Sequence, residues 1–350
     1  MTDQATLVTP GAPAGHESAL PPAGRTRSRT RLRSLLERRE AAIFVVAVVL
    51  FLYFALSTSA FATYDNLVTL SQFLAPIAVI GAAEAMLLTA GEVDLSAGTS
   101  FIFFPFVVYF LWQNSGVPIT LAIILALVVA AMFGAINGVL TSLLGLPSFV
   151  TTLGTLFALV GVMLITSGDI QETFTLSGTG GNILGVSPWS EILWAVGLVA
   201  VMYVMLHRSR YGLHIIAAGG NQLGASEAGV LVNRVKIRTF VLCSVFSAFI
   251  GIVDAIRITT LDPGNDGTTE MFYAVAAAVI GGTALTGGRG TIIGAGLGAL
   301  VLAILYDGLN IKGVNASYFE FALGLAILAA MVVNVQLRRA TLRRWRKRRT

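Results

Sequence analysis

The sequence predicts an all-α polytopic membrane protein with about ten transmembrane helices, and three observations carry that expectation. Apolar runs near the roughly 20 residues that span a hydrocarbon core recur along all but the two ends of the chain. Only 12% of the 350 residues are charged and 55% are hydrophobic, with a mean hydropathy of +0.81. A soluble domain is about a quarter charged. Finally, the positive charges are bunched: of 23 Lys/Arg, seven precede residue 41, eight follow residue 336 and five lie between Arg208 and Arg238. A transmembrane barrel would show short alternating segments instead.

Residues 1–40, rich in Pro, Gly, Ser and Arg, read as a basic, disordered cytoplasmic tail. The run 41–60 follows this basic stretch and ends near "AFA" (Ala60 to Ala62), which imitates a signal-peptide cleavage site. A leader of that length would be about twice the usual ~15–30 residues, so 41–60 reads as an uncleaved first span. The further spans expected are 66–90, 99–113, 117–143, 148–167, 190–206, 237–258, 271–287, 291–309 and 316–336. Residues 41–336 therefore form one transmembrane domain, and 337–350 a second basic tail. An even number of spans puts both ends on one side, and their Lys/Arg content makes that side cytoplasmic.

The loops agree. On this topology 61–65, 168–189 and 259–270 face outward; they hold Asp65, Asp169, Glu172, Asp262, Asp266 and Glu270 and no Lys or Arg. Segment 207–236 faces inward with "HRSRYGLH" and "NRVK", and Lys312 is the base placed outside. Bunched in this way, the net charge of +5 marks cytoplasmic retention and contact with anionic lipid rather than nucleic acid.

Several chemistries are argued against. The single cysteine, Cys243, cannot build a disulfide framework. His16, His207 and His214 all lie outside the apolar runs. The chain thus offers no intramembrane histidine for a metal site or a Ser–His nucleophile, and no catalytic or metal-ligating residues are assigned. No G-x-x-x-x-G-K-[ST] occurs, so ATP is not bound by a phosphate loop.

Three stretches stand out. "TAGEVDLSAGTS" (Thr89 to Ser100) separates two apolar runs with two acids, two glycines and no base. Gly91 suits a helix end in the left-handed region, Asp94 or Ser96 can cap the next helix, and on the cytoplasmic side water would solvate Glu92 and Asp94. "IGGTALTGGRGTIIGAG" (Ile280 to Gly296) is a second glycine-rich break on the same side, as in transporters assembled from interrupted helices. "HIIAAGGNQLGASEAGVLVNRVKI" (His214 to Ile237) is dominated over 217–229 by small residues. It is either a solvated loop or a short narrow helix able to enter a groove on another protein, with Arg234, Lys236 and Arg238 holding it at the membrane surface. Small-xxx-small pairs in "GAING" (Gly134 to Gly138) and "GAGLG" (Gly294 to Gly298) favour close helix packing.

These stretches carry a resemblance. The sequence is similar to the permease subunits of bacterial ABC importers for ribose, xylose and related sugars. Their pattern T-G-G-I-D-L-S-x-G-S stands beside "TAGEVDLSAGTS", A-I-G-G-N-x-x-A-A-x-x-S-G-I-x-V-x-R-V-K beside "AAGGNQLGASEAGVLVNRVK", and I-G-G-T-S-L-S-G-G-R-G-S beside "IGGTALTGGRGT". "GLPSFVTTLGT" (145–155) and "GLNIKGV" (308–314) extend the likeness over about 64–336. The resemblance implies a pore formed by two permeases, most simply a homodimer. It also implies a cytoplasmic ATP-binding cassette subunit that binds the ATP, and an extracytoplasmic sugar-binding protein. This chain itself would carry no cofactor and would lie in the cell (inner) membrane. Segment 217–230 would be the coupling helix, with Gly219, Gly220, Asn221, Ala225, Gly229 and Arg234 at the ATPase. Gly91, Asp94, Ser96, Gly98, Gly281, Gly282, Gly287, Gly288 and Arg289 are the residues of the family's turns. Glu92 departs from it, standing where glycine is common. A rival solute, such as a branched-chain amino acid, and a proton-coupled secondary transporter stay open as alternatives.

Polar residues inside spans are costly and face the protein interior or a cavity. Glu84 is then either a hydrogen-bonded packing residue or a hydroxyl acceptor in the solute path. Asn137 and Asn310 are expected to bond between helices, or else to touch solute. Asp254 and Arg257, three apart, are expected to pair on one helix face. The acidic loop from Asp262 to Glu270 is expected to be a solvated loop or a docking rim.

Overall fold

The computed structural model describes residues 39–315, 317–325, 327 and 328. Residues 1–38, about half of the last expected span (316, 326 and 329–336) and the basic C-terminal tail lie outside the described residues. Long apolar helices form because, in lipid, every backbone donor and acceptor must be satisfied within the segment. Helix α1 is Arg39–Ser57, α2 Tyr64–Thr89, α3 Ser96–Tyr109 (continued by a π-turn, Phe110–Asn114), α4 Ile119–Ser142, α5 Ser148–Ser167 and α6 the single turn Gly178–Gly181. Then come α7 Ser190–His207, α8 Arg210–Gly220, α9 Gln222–Glu227, α10 Val232–Ile258, α11 Thr268–Ile280 and α12 Ile292–Ile311. Two strands, β1 Glu172–Thr173 and β2 Thr260–Leu261, pair antiparallel.

Eight of these helices are long and apolar enough to cross a membrane, among the described residues. The all-α polytopic expectation holds, but the eighth expected span does not. In place of 271–287 the structure has α11, 13 residues ending at Ile280. At 1.5 Å per residue it covers about 20 Å, short of a ~30 Å core. The run is cut because Gly281 and Gly282 turn the chain, Gly282 with φ +92°.

Burial sorts the helices. Within the most apolar window of each, 83% of α2 and 72% of α10 are inside protein, against 11% of α1 and 22% of α4. Thus α2 and α10 are central and touch each other, α3 packs on α10 beside α4 and α5, and α1, α4, α5 and α7 present apolar side chains outward, as lipid-facing helices do.

The loops gather at two ends. At the acidic end the β1–β2 pair joins the loops after α5 and α10, and Trp189 Nε1 donates to Tyr64 Oη at 3.2 Å. The loop after β2 is not simply solvated: it descends into the bundle. Thr99 Oγ1 in the first turn of α3 donates to the Asp266 carbonyl at 2.8 Å, and Gly98 lets the backbone at Gly267 approach so closely that a Cβ would lie 2.0 Å from its carbonyl oxygen. Irregular backbone at this depth is tolerated because protein surrounds it. At the opposite end, marked by Arg208–Arg238, the two glycine-rich breaks meet α8 and α9.

Candidate functional site

The second glycine-rich break folds from its own local rules. Thr291 caps α12 by accepting from Gly294 N at 3.3 Å. Gly287 (φ +79°) and Gly288 (φ +74°) take conformations that side chains resist. The turn they make carries Gly288 N to the Thr89 carbonyl at the end of α2, 2.8 Å away. Gly219 of α8 enters the same point: a Cβ there would lie 1.9 Å from the Thr89 oxygen and 2.9 Å from Gly288 N. Three motifs distant in sequence thus meet in one joint made of backbone. Gly91, Gly219, Gly220, Gly287 and Gly288 are brought together, with Gly281 and Gly282 at the other end of the break.

Helix α8 does not run on through 217–230 as one coupling helix. Asn221 breaks it and caps α9, its Oδ1 accepting from Gly224 N at 3.0 Å. The small residues divide by face. Ala225 is buried within the chain, whereas Leu223 is 72% exposed and Leu213 and Leu231 are also bare. Gly229 (φ +83°) ends the segment in an exposed turn, and Arg234 is exposed. Lys236, expected at the membrane surface, is buried instead. Its Nζ lies 2.5 Å from Glu92 Oε1 and donates to Gln222 Oε1 at 3.3 Å. The side chain of Arg289 is exposed.

Between Gly91 and α3 the chain runs extended, and its backbone donors are met by side chains of α5. Val93 N donates to Ser148 Oγ at 3.3 Å and Leu95 N to Thr152 Oγ1 at 3.0 Å. This path takes Asp94 away from water, correcting the expectation that it is solvated: Asp94 is fully buried. Its Oδ1 accepts from Ser96 N (2.9 Å), Ser96 Oγ (2.5 Å) and Asn137 Nδ2 (3.4 Å). Burial pushes the Asp94 carboxyl up to about 6, against the pull of the Ser96 and Asn137 bonds. Glu84, also fully buried, accepts from Cys243 Sγ at 3.7 Å. Glu84 Oε2, Asp94 Oδ2 and Asn137 Oδ1 have no partner among the described residues. Two carboxyls and an amide with spare acceptors therefore lie deep in the bundle near the joint. Asn310 is not with them; it sits exposed at the acidic end of α12.

Sequence reasoning missed four participants. Glu191 is buried and joins the expected Asp254–Arg257 pair, its Oε2 2.7 Å from Arg257 Nε. Only its acidic character within an apolar run signalled it. Thr89 receives both glycine motifs through its carbonyl, which no side chain advertises. Ser148 and Thr152 support the extended segment; they lie within "GLPSFVTTLGT", where their spacing of four places both on one face of α5.

Comparison with known proteins follows the same motifs. Residues 66–331 match the family model described as branched-chain amino acid transport system / permease component. The xylose/arabinose import permease protein of Sulfolobus acidocaldarius is 36% identical over 88% of this chain and 88% of its own length. The ribose import permease protein of Escherichia coli is 31% identical over 78% and 87%. The autoinducer 2 import system permease protein of an Enterobacter species is 31% identical over 90% and 92%. No solved structure matches.

Proposed function

This chain belongs to the family of ABC-importer permease components that its residues 66–331 match, and on that premise we propose that it forms the membrane path for a simple sugar (a pentose, hexose or sugar alcohol). It is a multi-pass membrane subunit and not itself an enzyme. The family implies an ATPase at one face and a substrate-binding protein at the other. Sugar is favoured over an amino acid by the relatives matched over most of their length, import permeases for xylose/arabinose and for ribose.

One observation carries the mechanism: the helix pair α8–α9, bearing bare Leu223, is packed through glycine backbone onto the break between α2 and α3. Exposed leucines in a segment this polar suit burial by a partner. An ATPase that grips α9 as it closes on ATP would displace the joint. Because packed interiors are bistable rather than soft, that displacement would shift the bundle between states open to either side. ATP would be bound by the partner, two copies of this chain would form the pore, and Glu84 and Asn137 would meet the solute within it.

The test is reconstitution in vesicles with the partner ATPase and binding protein. Uptake of labelled pentoses, hexoses, sugar alcohols and leucine is followed with ATP, and separately with a proton gradient alone. Sugar uptake that needs ATP and the binding protein, together with crosslinking of Leu223→Cys to the ATPase, is the expected result. Accumulation driven by the ion gradient without nucleotide would make this a secondary transporter, and preference for leucine would overturn the sugar assignment.

A further inference from the structure

The α2–α3 break is tied to the coupling segment twice, once by glycine backbone and once by charge. We propose that Glu92 and Lys236 form a latch that transmits the displacement of α9 to the break, and so sets how much of each ATP-driven stroke reaches the solute path. This rests on the function proposed above.

Glu92 is the first residue beyond Gly91, in the segment that leads to Asp94 and α3. Lys236 is in the second turn of α10, and Gln222 is the first residue of α9. One ammonium therefore bridges three elements, at 2.5 Å to Glu92 Oε1 and 3.3 Å to Gln222 Oε1. The two charged side chains are 9% and 12% exposed, so salt screens them far less than a surface pair. Their geometry is directional. Movement of α9 relative to α10 pulls on the ammonium through Gln222, and the ammonium is held by a carboxylate on the segment that would have to move. The neighbouring bases Arg234 and Arg238 are exposed and do not replace it. The close approach of Gly219 to Thr89 and Ala90 resists compression, and the hydrogen bond of Gly288 N to the Thr89 carbonyl joins the two breaks rather than α8 to either; the ion pair supplies a tie that also works in tension. Glycine, common in the family pattern at the position of Glu92, has no side chain to make this bond.

The experiment uses the complete transporter in vesicles, with whichever of the labelled pentoses, hexoses and sugar alcohols the parent complex transports as the probe. Uptake and ATP hydrolysis are measured on the same preparation, and co-purification of the ATPase checks assembly. Glu92→Gln is expected to lower uptake by about fivefold or more, the lower range of coupling factors, while hydrolysis stays within about twofold. More ATP is then spent per sugar. Glu92→Asp, which keeps the charge on a shorter arm, is expected to fall between. The exchange Glu92→Lys with Lys236→Glu is expected to recover uptake to within about threefold of the parent, the non-additivity of a direct pair. Parallel loss of uptake and hydrolysis in the single variants, or an exchange no better than the sum of its parts, overturns the latch. If the parent complex transports no pentose, hexose or sugar alcohol with ATP, the proposed function fails first, and the latch has nothing to transmit.

Discussion

Glu84 is the residue whose chemistry is hardest to satisfy. It is fully buried, the side-chain donor to its Oε1 is a weak thiol at 3.7 Å, and Oε2 has no partner among the described residues. A buried acceptor left unpaired costs about 1–3 kcal/mol, so such a group persists where function needs it. Asp94 shares the partnerless second oxygen (Oδ2) but differs at Oδ1, which Ser96 and Asn137 occupy and which ties it to the start of α3. Glu84→Gln is therefore expected to leave assembly with the ATPase intact and to lower sugar uptake. Normal uptake by vesicles of that variant would remove Glu84 from the path.

At the scale of elements, the joint is a meeting of backbones. Gly219 and Gly220 are adjacent in sequence, yet their surroundings differ. A Cβ on Gly219 would lie 1.9 Å from the Thr89 oxygen, whereas one on Gly220 would rest at 3.6 Å from the Gly288 Cα. Gly219→Ala must force α8 off α2, at a cost of about 1–3 kcal/mol or more by analogy with overpacked cores. Gly220→Ala meets an ordinary contact. The expected outcome is a lower melting temperature and lost transport for Gly219→Ala, with Gly220→Ala close to the parent on both. Equal effects would show that the glycines matter only as a flexible stretch.

At the scale of the whole molecule, the two ends are held by different forces. The basic end relies on close backbone packing and the Glu92–Lys236 pair. The acidic end relies on Arg257, which lies between Glu191 and Asp254 and donates to Gln72 Oε1 at 3.5 Å. One guanidinium thus ties α2, α7 and α10 together. Arg257→Met leaves two carboxylates in a poorly hydrated site, and removing one member of a buried charge group costs about 3–5 kcal/mol. The variant is expected to unfold at markedly lower temperature in detergent. Adding Glu191→Gln should recover part of the loss, whereas Arg257→Lys should not, because an ammonium lacks the fork that reaches both acids. A melting curve unchanged by Arg257→Met would make the network incidental.

The sequence by itself determined the class of protein and most of its helices, because apolar length and the placement of Lys/Arg are local quantities that lipid and water read directly. It also located the two breaks and the small-residue segment 217–229, since their turns use glycines in the left-handed region (Gly91, Gly229, Gly282, Gly287 and Gly288). It could not see that α11 stops short: 271–287 is apolar enough for a span, and only the turn at Gly281–Gly282 and the descent of Gly267 onto Gly98 explain the shorter helix. Nor could it tell Asp94 from Glu92. Both lie in one hydrophilic-looking stretch, but the extended chain, anchored on Ser148 and Thr152, turns one acid into the bundle and leaves the other to Lys236. Which glycine backbones touch, which face of α9 stays bare and which carboxyls lack partners were decided by tertiary structure alone, because close approach between distant segments depends on how all the helices pack together and leaves no periodic trace along the chain.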